Sequence, residues 1–158
     1  MHFKEDVVVN KFSHIYIEEE MKDNAMTKKI TSFFPHASKI IIHDYRDVFN
    51  RRKQSHAHQK SSQNLILAKK KNDFLYPSSP VCQSFDYENF YYTTTMMNCI
   101  YDCEYCFLKG MYPSGNLVIF VNIEDFLHEI ENRLKEHSIY LCVSYDTDML
   151  ALEPITQY

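Results

Sequence analysis

Three cysteines stand close together in the run Cys99-Ile-Tyr-Asp-Cys103-Glu-Tyr-Cys106, a C-x3-C-x2-C spacing with an aromatic before the last thiol. Three thiolates so placed can hold three irons of a cubic iron–sulfur cluster. The fourth iron then stays open to a small molecule, whereas four protein cysteines close a cluster for electron transfer. Two blander readings compete. Spacings of four and three also make one face of a helix, but Asn98, Asp102 and Glu104 make this run polar. Structural zinc sites show two C-x2-C or C/H pairs across a longer gap, and only Cys103 and Cys106 form such a pair here. Cys82 or Cys142 would have to supply a fourth zinc ligand. A disulfide framework fits poorly, because the cysteines number five and the charged N-terminus (Met1 to Asp6) is no signal peptide.

Alternating strands and helices must position this run. Ile15–Ile17, Lys39–His43 and Leu65–Leu67 read as short strands, with a helix over 21–34 ended by Pro35. Tyr91–Thr95 reads as a strand leading into the cysteine loop. Leu117–Val121 is a continuous apolar run, as in a strand buried on both faces. Asn122 is then the expected cap of a helix whose Ile123, Phe126, Leu127, Ile130 and Leu134 share one face. Ile139–Val143 is the next strand. The pattern predicts an α/β fold, divided into an N-terminal α/β region with a basic linker at 1–84 and a βα series at 85–158. Tyr91–Thr95 and Leu117–Val121 are expected to pair in parallel, with Leu117–Val121 near Ile139–Val143.

Composition excludes several functions. Gly110 and Gly115 are the only glycines, too few for a Walker loop or a dinucleotide-binding loop. No apolar run is long enough to span a membrane. Charge divides the chain: residues 1–80 carry 14 Lys+Arg against 9 Asp+Glu, and residues 81–158 carry 3 against 12. Arg51, Arg52, Lys53, Lys60 and Lys69 to Lys71 have no acid among them. Their segment reads equally as a phosphate-facing patch or as a solvated linker. His56-x-His58 lies in the same polar stretch and reads as loop.

The cysteine motif resembles that of the radical S-adenosylmethionine (radical SAM) enzymes. Its flanks, Tyr91-Tyr92-Thr93-Thr94-Thr95, Phe107-Leu108-Lys109-Gly110 and Leu117 through Asp125, are similar to the spore photoproduct lyase family. The resemblance is strong over 90–125 and weaker beyond. It implies the N-terminal portion, about three βα units, of an incomplete TIM-like barrel whose site lies at the C-terminal strand ends. It implies a [4Fe–4S] cluster on Cys99, Cys103 and Cys106, with S-adenosyl-L-methionine on the open iron. Tyr105 matches the aromatic that contacts adenine, and Asp148 an acidic residue near the cofactor. The implied activity is reversion of the ultraviolet-induced thymine dimer to two thymines through a 5′-deoxyadenosyl radical. The implied partners are damaged double-stranded DNA, with the lesion flipped out, and an electron donor such as a ferredoxin or flavodoxin. The implied place is the cytoplasm, the spore core of a spore former, and no membrane.

Two residues depart from the family. Tyr145 stands where its hydrogen-donating cysteine is expected, and Phe107 where a tyrosine commonly follows the last cluster cysteine. Cys82, beside Pro80, is the expected replacement donor, with Tyr145 competing. Residues 142 and 145 differ by an odd number, which on an extended strand puts Cys142 on the opposite face. Another radical SAM activity, or a non-enzymatic zinc-binding, iron–sulfur-binding or vestigial protein, are the alternative readings.

Overall fold

The computed structural model describes residues 11–79 and 84–158. Its larger sheet has the order β2-β1-β3-β7-β6, formed by β1 (His14–Glu18), β2 (Ser38–Ile42), β3 (Leu65–Ala68), β6 (Met96–Met97) and β7 (Leu117–Phe120). The first four neighbours run parallel; β6 is antiparallel to β7. Every residue of β3 and β7 is buried, as their unbroken apolar runs require of strands covered on both faces. Their alternation divides the core. Leu65, Leu67, Leu117 and Ile119 join Ile15, Ile17, Ile30, Phe34 and Leu152 on one face. Ile66, Ala68, Val118 and Phe120 join Val48, Phe49 and Phe126 on the other.

The described residues form five α-helices: α1 (Ala25–Ser32), α2 (Arg46–Phe49), α3 (His56–Ser61), α4 (Ile123–Glu136) and α5 (Glu153–Thr156). Helix α1 is shorter than the 21–34 expected. It starts at Asn24, whose side chain accepts from the amides of Met26 and Thr27. Asn122 precedes α4 as expected but does not cap it with its side chain. Its amide instead ties two strand ends: Oδ1 accepts from Lys70 N at 2.9 Å, and Nδ2 donates to Lys70 O at 2.9 Å and to Asp125 Oδ2 at 2.7 Å. The apolar stripe of α4 meets the core chiefly at Phe126; Leu127 and Leu134 are 53% and 52% exposed.

A smaller sheet, β4-β5-β8, is built from β4 (Tyr76–Pro77), β5 (Phe90–Tyr92) and β8 (Tyr140–Cys142). It corrects the expected pairing. Tyr91–Thr95 is not one strand beside Leu117–Val121. The strand ends at Tyr92 and pairs in parallel with β8, Tyr91 opposite Leu141, while Met96 and Met97 pair with β7. The backbone of the intervening threonines passes from one sheet to the other: Thr93 N donates to Cys142 O at 3.0 Å, and Thr95 O accepts from Phe120 N at 3.0 Å. Their hydroxyls fasten the crossing, since Thr93 Oγ1 donates to Phe74 O at 2.7 Å, Thr94 Oγ1 donates to Asp146 Oδ2, and Thr95 Oγ1 contacts Met149 Sδ at 3.6 Å. In the larger sheet β3 and β7 pair directly, Leu65 opposite Leu117.

Candidate metal centre and adjoining cavity

The cysteine loop leaves β6 and returns in β7. Asn98 opens it in the left-handed region, at φ 65°, a conformation that asparagine tolerates better than most residues. Its buried Nδ2 donates to Ser114 O and Asn116 O, each at 2.7 Å, which closes the base of the loop. Within the loop the Cys106 amide donates to Cys103 O at 3.1 Å and the Lys109 amide to Cys106 O at 3.2 Å. Cys99, Cys103 and Cys106 are half-buried and free. Cys99 and Cys106 line one pocket with His56, Lys60, Asp102 and Lys109. The three sulfurs are not drawn into a coordination group; among the described residues no three metal-ligating side chains stand together. The donor set nevertheless has the chemistry of an iron–sulfur site: three unpaired thiols on one turn-rich loop, with no fourth cysteine beside them in the run.

Helix α3 straps this loop from outside. Gln59 Oε1 accepts from Ser114 Oγ at 3.0 Å and Gly115 N at 2.8 Å. A Cβ on Gly115 would fall 2.7 Å from His56 O, so only glycine permits this approach. Gln63 Nε2 donates to Cys99 O at 3.1 Å, Lys60 Nζ donates to the same carbonyl, and Lys11 Nζ to Ile100 O. Burial lowers both lysines from their ordinary values, and the nearby Cys99 opposes that shift. The segment left open between phosphate patch and linker therefore turns at least one of its cations, Lys60, inward. Sequence reasoning took Lys60 only as one cation of the basic run and did not single out Lys11, Gln59 or Gln63, since polar residues in short segments carry no apolar period.

A tyrosine-lined cavity adjoins the loop. Tyr145 packs on Tyr92 with ring centroids 4.5 Å apart, and Tyr92 stacks on Tyr76 at 5.1 Å. Phe107, the neighbour of Cys106, lies 6.1 Å from Tyr145. A cavity of about 320 Å³ is lined by Tyr45, Lys70, Tyr76, Tyr112, Tyr145 and Asp146 among others. Lys70 Nζ donates to Tyr76 Oη at 2.7 Å. Asp146 is buried; desolvation, then its charge and its hydrogen bond, push the Tyr112 phenol well above the ordinary tyrosine value. A second cavity, about 400 Å³, is lined by Pro77, Ser78, Ser79, Phe90, Tyr92, Cys142 and Tyr145. Cys142 and Tyr145 thus border one space, against the alternation argument. Strand β8 ends at Cys142 and the chain bends at Val143, so the two-residue period does not reach 145.

Six solved structures share this architecture, all of spore photoproduct lyase. The chain has the fold of part of a spore photoproduct lyase. The structure of that enzyme complexed with dinucleoside spore photoproduct superposes with a TM-score of 0.71 at 16% identity, over 92% of this chain and 43% of that one. A mutant with dinucleoside spore photoproduct gives 0.72 at 14%, and a double mutant with bound AdoMet and dinucleoside spore photoproduct gives 0.71 at 15%, with the same coverage. The chain spans less than half the length of the structures it matches. No family model and no curated protein matches it.

The spore photoproduct lyase expectations fall on this structure unevenly. Cys99 and Cys106 meet in one pocket, and Tyr145 stands over the neighbouring cavities. Tyr105 is 92% exposed on the loop. Asp148 is exposed, and its Oδ1 accepts from Ala151 N at 3.3 Å, the geometry of a turn cap. Cys82 lies outside the described residues. Asp146 was not singled out, and Lys70 only as one cation of the basic run; neither belongs to a recognisable motif.

Proposed function

We propose that this chain is part of a radical SAM lyase that reverts spore photoproduct in DNA to two thymines. The observation that carries the reading is a coincidence of two independent features. A C-x3-C-x2-C loop specific for one cofactor chemistry occurs in a chain whose fold, over 92% of its length, is that of a spore photoproduct lyase. Cys99, Cys103 and Cys106 would hold a [4Fe–4S] cluster. Bound there with S-adenosylmethionine, the cluster supplies reductive cleavage of the cofactor to a 5′-deoxyadenosyl radical.

The chain's own residues supply position and shielding. Tyr105, exposed between two of the thiols, offers a ring face for adenine, and Asp148 offers an exposed carboxylate. Tyr76, Tyr92 and Tyr145 offer a wall of packed rings for a base taken out of the duplex. Hydrogen return to the thymine methyl falls to Cys82, Cys142 or Tyr145, of which the last two share a described cavity. Damaged duplex DNA and a ferredoxin- or flavodoxin-type reductant are the proposed partners, in the cytoplasm or spore core. No helix among the described residues is long and apolar enough to cross a membrane.

Anaerobic reconstitution with iron and sulfide tests the reading. The expected product is brown, binds about four irons per chain, and changes its electron paramagnetic resonance spectrum on adding S-adenosylmethionine. A colourless protein that takes up zinc through the same cysteines, and no cluster, would overturn the assignment in favour of a structural metal site.

A further inference from the structure

We propose that Lys11 and Lys60 form a cationic cradle for the anionic iron–sulfur cluster, and that their charge, beyond their hydrogen bonds, sets its reduction equilibrium. The inference rests on the radical SAM reading above.

Both ammonium groups are half-buried and converge on consecutive carbonyls of the cysteine loop: Lys60 on Cys99 O, Lys11 on Ile100 O. Lys60 also lines the pocket that holds Cys99 and Cys106. Neither lysine has a carboxylate partner among the described residues. Asp102, the acid in that pocket, pairs instead with Lys109 at 3.1 Å. Two ammonium groups drawn partly out of water beside each other repel, and a carbonyl takes a hydrogen bond without cancelling the charge. Gln63 already donates to Cys99 O, so a neutral donor would have sufficed to tie the loop down. Asp102 attracts both lysines as well as Lys109, but one carboxylate against three ammonium groups leaves a net positive charge that calls for an anion at the cysteines. A cluster on three thiolates is such an anion, and reduction adds one more negative charge. Cations held at this place favour the reduced form. Nucleic-acid phosphate is the less suitable occupant, because both lysines already donate to carbonyls of the cysteine loop.

The test compares wild type with Lys11→Gln, Lys60→Gln and Lys60→Arg in two arms. In the apoprotein, peptide mass spectrometry follows modification of Cys99 by the anionic Ellman reagent and by neutral dithiodipyridine. The ratio of the two rates reports local potential and cancels differences in thiolate content. It should fall about threefold or more in each glutamine variant and stay near wild type in Lys60→Arg. In reconstituted protein, a redox titration should show the reduction equilibrium of either glutamine variant moved about tenfold toward the oxidised cluster, or about 59 mV, with Lys60→Arg restoring it. Glutamine variants that keep full iron, the wild-type rate ratio and the wild-type potential would overturn the cradle. Wild type that takes up no cluster defeats the radical SAM reading, and the rate ratio then decides the cradle alone. If Lys60→Gln does not fold, Lys11→Gln carries the test.

Discussion

Cys142 and Tyr145 border the same cavity, which bears on the hydrogen that the proposed reaction must return. In that step a C–H bond forms at the thymine methyl and an S–H or O–H bond breaks, leaving the radical on sulfur or on the phenol oxygen. The S–H bond is the weaker, so the half-buried thiol of Cys142 is the better donor of the two. Cys142→Ala in the reconstituted protein should lower clean thymine formation from dinucleoside photoproduct at least about tenfold while cofactor cleavage persists, a loss of roughly 1.4 kcal/mol of barrier advantage. Product analysis by liquid chromatography checks this; unchanged thymine yield moves the role to Tyr145 or Cys82. Iron content separates these roles from the metal centre. Cys99→Ala, Cys103→Ala and Cys106→Ala should each lose essentially all iron, and Cys142→Ala should keep it. A residue far from the cysteines sets an acid limit. Arg46 binds both oxygens of Asp44, Nε at 2.8 Å from Oδ1 and Nη2 at 2.6 Å from Oδ2. The Arg46 hydrogen bond holds the Asp44 carboxyl down to about 2 from 3.8. A depressed carboxyl stabilises the fold above its unfolded value and stops doing so as pH falls through its folded value. The urea midpoint of wild type should therefore drop between about pH 4 and pH 2 more steeply than that of Asp44→Asn. Parallel curves would show that the pair contributes nothing.

Helix α3 shows how an element without an apolar period can still be indispensable. Its backbone at His56 and Lys60 lies so near Gly115 that a Cβ there would meet His56 O at 2.7 Å and Lys60 N at 3.0 Å. Both obstacles are backbone, so relief requires moving the helix. Gly115→Ala should destabilise the chain by about 1–3 kcal/mol, read from urea unfolding, and should also lower iron uptake because Lys60 leaves Cys99 O. Wild-type stability in that variant would mean that α3 rests loosely on the loop. The sequence made some elements plain and hid others for physical reasons. β1, β3, β7 and α4 were legible because burial on both faces, or an amphipathic period, writes itself into residue type. The division of Tyr91–Thr95 between two sheets was not, because Thr93, Thr94 and Thr95 have strand propensity whether or not their hydroxyls are used elsewhere. Glu18 illustrates the same limit. It is fully buried at the end of β1, where Oε1 accepts from Tyr45 N at 2.7 Å and Oε2 from Lys69 N at 2.8 Å. It fastens the ends of three parallel strands, yet as one of three consecutive glutamates it reads like surface. The cysteine spacing was legible since ligation fixes residue type; the lysine cradle was not, since lysine in a polar stretch has many other uses.

At the scale of the molecule, the chain corresponds to 43% of a spore photoproduct lyase, and it leaves apolar surface uncovered. The most apolar strand is not part of that surface: β7 is sandwiched between β3 and β6 and is fully buried, as its continuous apolar run predicts. One edge of the larger sheet is β2, where Ile40 and Ile41 are 36% and 51% exposed. Its outer amides and carbonyls have no neighbouring strand in the larger sheet, and a parallel sheet is normally closed by further elements. An edge of this kind templates pairing with a second chain. Charge on the edge opposes that pairing, because a lysine in the contact must be desolvated against apolar neighbours. Ile41→Lys costs little in the fold, since half of the side chain is already in water. It should raise the monomer fraction of the purified chain several-fold at equal concentration, measured by size exclusion with light scattering, and should leave iron uptake unchanged. Leu127→Lys on the exposed face of α4 serves as the comparison. Association that persists in Ile41→Lys but disappears in Leu127→Lys would assign the sticky surface to the helix instead of the sheet edge.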